Sequence, residues 1–152
     1  MFAVNVDGFF LGTKHAIRVM TPAGGGVIVN VSSAAGIRPA TGASAYSTSK
    51  AAVGMLTRAA AKECRERGLA IRINAVAPAG VRTPLWRSMR LFQDLVAQHG
   101  SEQAAFQVLA ASNPSRRFAE PVEIAEAILY LASDNAAMIT GIEMPIDEGY
   151  LL

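Results

Sequence analysis

Tyr46 and Lys50 stand four residues apart, and Ser33 stands 13 residues before Tyr46. On a helix, residues i and i+4 share a face, so this spacing brings the Lys50 ammonium near the Tyr46 hydroxyl. A free phenol titrates near about 10, and a neighbouring cation favours the phenolate. A tyrosine placed in this way can exchange a proton with an alcohol or a carbonyl near neutral pH. Ser33 follows the β-branched run Val27-Ile28-Val29-Asn30-Val31. The carboxyl end of a strand is where open α/β sheets hold their ligands. The Ser33 hydroxyl can therefore hydrogen-bond the same substrate oxygen.

The elements that must position these groups are legible from periodicity and breakers. Residues 2–20 read as a helix, with Gly8 and Gly12 one turn apart, and Pro22 and Gly24-Gly25-Gly26 end it. Residues 27–31 read as a buried strand, and the Gly-, Ala-, Pro- and Thr-rich stretch 34–44 as a loop. A long helix covers 45–67, with Ala51, Ala52, Met55, Leu56, Ala59 and Ala60 as its apolar face and Gly68 as its stop. Residues 71–77 form the next strand. Residues 84–113 read as two short helices interrupted at Gly100. Pro121 opens a helix to about Ala132, with Ile124, Ile128 and Leu131 inward, and residues 142–146 form a last short strand.

Strands separated by helices imply parallel pairing through right-handed crossovers. The expected fold is α/β, a Rossmann-like three-layer α/β/α parallel sheet. Three strands are few for a sheet that needs both faces covered and both edges managed. The chain therefore reads as one partial domain over 1–152 whose N-terminal part, the first βαβ units, is missing. The open side of the strand at 27–31 is expected to be covered by another chain or by rearranged elements.

Four segments together resemble the short-chain dehydrogenase/reductase family: Asn5-Val6-Asp7-Gly8, Val29-Asn30-Val31-Ser32-Ser33, Tyr46-Ser47-Thr48-Ser49-Lys50 and Pro78-Ala79-Gly80-Val81-Arg82-Thr83. The similarity runs on to Met138-Ile139-Thr140-Gly141. It implies an oxidoreductase that interconverts a secondary alcohol and a ketone with NAD or NADP. Tyr46 would be the general acid/base. Lys50 would lower the Tyr46 pKa and hold the nicotinamide ribose. Ser33 would orient the substrate oxygen. Asn5, through its main chain and a water, would connect Lys50 to solvent. Val81 and Thr83 would bond the nicotinamide carboxamide, with Pro78 and Gly80 shaping that turn. Residues 84–113 would cover the substrate, and their Trp86, Met89, Leu91, Phe92 and Phe106 suit a moderately bulky, apolar one. The resemblance also implies a homodimer or homotetramer built partly from the helices at 2–20 and 45–67.

The family's Thr-Gly-x-x-x-Gly-x-Gly turn and its Asn-Asn-Ala-Gly segment are absent. Gly24-Gly25-Gly26 precedes a strand instead of joining a strand to a helix, so it cannot cradle a pyrophosphate at a helix N-terminus. Position 79 is Ala where the family commonly has Gly. A second function class follows from these departures: a non-catalytic remnant acting as a structural or dimerising module, because rate enhancement depends on aligning the bound cofactor.

Composition narrows the remaining classes. The chain has 152 residues, is 51% hydrophobic and 17% charged, and carries a net charge of +2. These values exclude a disordered chain. Without a run of like charges, a nucleic-acid arm or a membrane-surface helix is not expected. A single cysteine, Cys64, excludes an internal disulfide and a Cys-rich metal site. His15 and His99 lack partners at metal-ligand spacing and read as surface residues. No apolar run reaches membrane-spanning length, and the expected setting is a reduced cytoplasm.

Overall fold

The structure, a computed structural model, describes residues 1–111 and 113–152. The helix expected over 2–20 opens with a π-helical turn, Ala3–Asp7, that runs straight into α1, Gly8–Met20. A tight turn leads into β1, Gly26–Val31. A short 3₁₀ turn, Ala34–Gly36, and a loop precede α2, Ser44–Glu66. The end of α2 is closed by two hydrogen bonds, Gly68 N–H to the Arg65 carbonyl at 3.0 Å and Leu69 N–H to the Cys64 carbonyl at 2.9 Å. This pair satisfies carbonyls that the helix leaves unbonded.

β2, Ile71–Pro78, follows. Beyond it come a 3₁₀ turn, Pro84–Ser88, and the helices α3, Arg90–His99, and α4, Glu102–Leu109. The 3₁₀ turn was not foreseen; Pro84 supplies its start without committing the chain to a longer helix. α5, Pro121–Ala132, and β3, Glu143–Ile146, complete the chain.

The three strands are parallel in the order β1-β2-β3, with Val31 opposite Val76 and Ala75 opposite Glu143. Central β2 is buried on both faces, as a strand covered by helices must be. Its odd positions, Ile71 and Ile73, pack with Ala60, Ala61 and Cys64 of α2 and Ile17 of α1. Its even position Val76 packs with Ile124 and Leu131 of α5, with Ile128 beside them. The result is the expected three-layer, Rossmann-like α/β arrangement.

One expectation is corrected. Ala51, Met55 and Ala59 of α2 face solvent, and Met55 is 59% exposed. The inward face is Val53, Gly54, Thr57, Ala60, Ala61 and Cys64. Close approach of α2 to the sheet selects small side chains. One of them, the Thr57 hydroxyl, is satisfied by accepting from Asn30 Nδ2 at 2.9 Å and donating to the Val53 carbonyl at 2.9 Å.

The segment between β2 and α5 is closed at its base. Ala119 N–H bonds the Gly80 carbonyl at 2.9 Å, and Arg82 N–H bonds the Ala119 carbonyl at 2.8 Å. Above this stem, Trp86, Phe92, Phe106 and Phe118 form one aromatic cluster, with Phe92 and Phe106 centroids 4.7 Å apart. Offset and edge contacts of this kind give the segment its own small core.

Candidate active site

Ser33 leaves β1 in an extended conformation and heads the Ala34–Gly36 turn. Its hydroxyl oxygen accepts from Ala35 N–H at 3.2 Å, and its proton is directed at the Pro78 carbonyl 3.4 Å away. Ser33 thus caps a turn and also ties the carboxyl ends of β1 and β2 together. The turn lies hard against α2. A Cβ on Gly36 would come within 2.7 Å of the Lys50 carbonyl carbon, so only glycine permits the approach. Ser32 adds a second tie by donating its hydroxyl to the Lys50 carbonyl at 3.0 Å.

Tyr46 sits in the first turn of α2 and is half-buried; Lys50 follows one turn later. The Lys50 ammonium lies over the Tyr46 ring, 5.9 Å from its centroid, and over the Phe9 ring at 5.3 Å. It donates to the Val31 carbonyl at 2.9 Å. Burial pushes the Lys50 pKa below the usual lysine value, because a half-buried ammonium loses hydration. Tyr46 and Lys50 share one face of α2, but the cation lies over the ring and gives an N–H to the sheet, and no hydrogen bond joins it to the Tyr46 hydroxyl among the described residues.

Asn5 lies in the π-helical turn, a geometry that recurs at functional sites. Its side-chain Nδ2 donates to Ser49 Oγ at 3.2 Å. The Ser49 hydroxyl in turn donates to the Tyr46 carbonyl at 2.7 Å. Asn5, Tyr46 and Lys50 are thus gathered on the first two turns of α2, and Lys50 and Ser33 are each tied to the carboxyl end of β1.

The turn after β2 is placed beside them through Pro78. Ala79 N–H bonds the Ile146 carbonyl at 3.1 Å, which fixes the turn against β3. Val81 faces two ways. The flanking residues bond Ala119, while the Val81 carbonyl accepts from Trp86 Nε1 at 2.8 Å. Thr83 heads the Pro84–Ser88 turn and shares no hydrogen bond with Ser33, Tyr46 or Lys50 among the described residues. Gly24, Gly25 and Gly26 lie at the amino end of β1, opposite the end that carries Ser33. The residues present thus fit the nicotinamide-ribose end of a dinucleotide, through the half-buried Lys50 and Tyr46. The Gly-rich stretch is at the wrong end of the sheet to hold its phosphates.

A cleft of about 220 Å³ opens beyond the Pro78 turn, between Ala79, Gly80, Ser115, Ile146, Asp147 and Glu148. Ser33, Tyr46 and Lys50 do not line it. Across it, the Glu148 carboxylate accepts from the Ser115 N–H and hydroxyl, both at 2.7 Å, and so latches the C-terminal turn to the stem below α5. Sequence reasoning passed over Ser49, Glu148 and the Trp86–Val81 bond. The one local signal for Ser49 is its position between Tyr46 and Lys50, one residue before the lysine.

A parallel three-layer sheet with Ser, Tyr and Lys at the carboxyl end of its edge strand defines a Rossmann-like α/β domain. The chain belongs to the short-chain dehydrogenase/reductase family. A family model described as enoyl-(acyl carrier protein) reductase matches residues 1–151. The chain is similar to cis-4-hydroxycyclohexanecarboxylate dehydrogenase of Sinomonas cyclohexanicum, 42% identical over 97% of this chain and 53% of the relative. It is also similar to 2,5-dichloro-2,5-cyclohexadiene-1,4-diol dehydrogenase LinX of Sphingobium indicum, 37% identical over 99% of this chain and 54% of the relative. Among solved structures, ElxO with NADP bound superposes with a TM-score of 0.81 at 30% identity, covering 97% of this chain and 55% of that one. The chain spans about half the length of the curated relatives it matches.

Proposed function

We propose that this chain carries the substrate-handling half of an NAD(P)-dependent oxidoreductase that interconverts a secondary alcohol and a ketone. The reading rests on Tyr46 and Lys50 sharing one face of α2 beside the carboxyl end of β1, the end that Ser33 follows, with the Lys50 ammonium 5.9 Å from the centroid of the Tyr46 ring. Tyr46 is the general acid/base, its phenol giving or taking the proton of the substrate oxygen. Lys50 supplies positive charge beside that phenol and holds the ribose. Ser33 orients the substrate oxygen, and Asn5 links Lys50 to solvent. Val81 and Thr83 receive the carboxamide on a turn shaped by Pro78 and Gly80. A bound nicotinamide supplies the hydride acceptor or donor.

Residues 84–113 form the lid over the substrate, held at their base by the Gly80–Ala119 bond and given rigidity by the aromatic cluster. The named relatives act on ring-borne alcohols, as their names state. A cyclic secondary alcohol is therefore the first substrate class to test. A reduced, cytoplasmic setting suits the buried, lone Cys64, and among the described residues no helix is long and apolar enough to cross a membrane. A homodimer or homotetramer accounts for the exposed Phe10, Leu11 and Val19 of α1 and Met55 of α2.

The test is nicotinamide absorbance with a panel of cyclic alcohols. Wild type turns over, and Tyr46→Phe lowers kcat by roughly 10²–10⁴-fold, the range of a lost acid/base. Full activity in Tyr46→Phe refutes the mechanism.

The second reading, a structural or dimerising module, draws on two observations. The Ser33 hydroxyl and the Val81 carbonyl are already engaged within the chain, and the glycine stretch lies at the amino end of β1. Titration with NAD(H) and NADP(H) separates the two: micromolar binding supports the enzyme, and no binding at millimolar cofactor supports the module.

A further inference from the structure

Ser49 is fully buried, one residue before Lys50 and three after Tyr46. Its bond to the Tyr46 carbonyl is the local, back-bonding kind that a helical serine commonly makes. The second bond is not local. Asn5, 44 residues earlier in the chain, donates its side-chain Nδ2 to the same oxygen at 3.2 Å. A hydroxyl has one proton. With that proton committed to the Tyr46 carbonyl, the oxygen toward Asn5 can only accept. Ser49 therefore decides which way the Asn5 carboxamide is turned: nitrogen toward α2, oxygen away from it. Helix propensity gives no reason for a hydroxyl here, because alanine is the better helix former and buries no polar group.

We propose that Ser49 is a positioning residue that holds Asn5, on its π-helical turn, in fixed register with Tyr46 and Lys50. The inference rests on the reading of Tyr46 as the acid/base, since only then does the placement of Asn5 bear on turnover. The π-helical turn packs against α2, and the Asn5–Ser49 bond is the side-chain tie between the two among the described residues. Without it, the turn keeps its main-chain closure, Asn5 N–H to the Met1 carbonyl at 2.8 Å, and loses its registration on the catalytic helix.

The experiment compares Ser49→Ala, Asn5→Ala and the double variant with wild type. Each is checked for an unchanged far-UV circular dichroism spectrum, and kinetics are measured with a cyclic secondary alcohol and nicotinamide cofactor. Ser49→Ala is expected to lower kcat about tenfold, with KM within about twofold and a displaced pH profile, as for a proton path disturbed with binding intact. Because Ser49 acts through Asn5, the double variant is expected to be no slower than Asn5→Ala alone. Unchanged kcat in Ser49→Ala overturns the proposal, as does a double variant whose loss is the product of the two single losses. A second measurement needs no turnover. In ¹⁵N NMR of the chain, the Asn5 carboxamide signals should move to solvent-exposed positions in Ser49→Ala; unchanged signals overturn the link itself. Asn5 signals that move in Ser49→Ala, in a protein whose wild type shows no turnover, uphold the link and refute the oxidoreductase reading instead.

Discussion

The Lys50 ammonium donates to the Val31 carbonyl at 2.9 Å, and that carbonyl lies on the open side of the sheet. The orientation follows from the ladder. Ser32 N–H bonds the Val76 carbonyl on β2, and backbone groups of successive strand residues point to opposite sides. Val31 therefore faces away from β2, where β1 has no further strand among the described residues. Within the chain, Lys50 caps one group of this edge, the carbonyl at its carboxyl end. A charged side chain over an unpaired edge carbonyl also discourages pairing with a foreign strand. The residue expected to serve the cofactor is thus tied to the sheet edge.

The same burial sets a pH dependence. The Lys50 pKa is lowered in the folded chain by loss of hydration, whereas in the unfolded chain it stands at the model-peptide value of 10.5. Below the lowered pKa both states are protonated and the full cost of burying the ammonium is present. As pH rises from the lowered pKa toward 10.5, the unfolded chain holds more protons than the folded one, so stability rises. Urea unfolding of wild type and Lys50→Met at pH 7 and pH 10 should show wild type gaining relative to the variant at the higher pH. A constant difference contradicts the buried-ammonium account.

Asn30 and Thr57 carry the tie between β1 and α2. The Asn30 amide donates to a hydroxyl that is itself fully buried. Thr57→Val keeps the shape and removes the acceptor, leaving a buried N–H without a partner. The expected loss is about 1–3 kcal/mol. For a chain of this size that lowers the melting temperature by roughly 2–4 °C per kcal/mol. Differential scanning calorimetry measures it, and a variant melting with wild type places a water or another acceptor at Asn30.

The turn after β2 tolerates little bulk. A Cβ on Gly80 would meet Phe118 ring carbons at 2.5 Å, and that ring is held by Trp86, 5.1 Å away between centroids, and by Phe106 at 5.8 Å. Gly80→Ala must push the ring into the cluster, at a cost of about 1–3 kcal/mol for an overpacked site. Trp86 fluorescence reports the displacement directly. An unshifted emission spectrum together with wild-type stability would show that the cluster yields freely.

How much could be read from the sequence depended on how local each relationship is. Tyr46 and Lys50 are one helical turn apart, so their shared face follows from helix geometry alone, and the β-branched run places Ser33 at a strand end; the approach of its turn to α2 is a matter of packing at Ser32 and Gly36. The three layers followed from the alternation of strand and helix patterns. The inward face of α2 did not. Apolar count favoured Ala51, Met55 and Ala59, but packing against β2 rewards small residues and tolerates Thr57 because Asn30 satisfies it. The tie of Ser49 and the Trp86–Val81 bond are not legible for a related reason. Each acts through a hydrogen bond whose partner is fixed by tertiary placement: Asn5 lies 44 residues from Ser49, and the Val81 carbonyl is aimed by its bridge to the strand-like stretch at Ala119.

The start of α5 should be sensitive to acid. Arg117 grips the Glu123 carboxylate with two hydrogen bonds, at 2.7 and 2.8 Å, and Glu120 N–H adds a third at 2.7 Å. Arg117 first, and the Glu120 backbone second, lower the Glu123 pKa from 4.5 to about 2. A carboxylate depressed in the folded state contributes stability that is fully present above its unfolded pKa and is lost as pH falls through the folded one. The contribution of Glu123 is therefore complete above pH 4.5 and fades toward about pH 2. Thermal unfolding between pH 7 and pH 2.5 should fall more steeply for wild type than for Glu123→Gln, which has no proton to take up. Because the pair is exposed, added salt should shrink the difference. Parallel pH profiles for the two proteins would show that the Arg117 grip does not persist in solution.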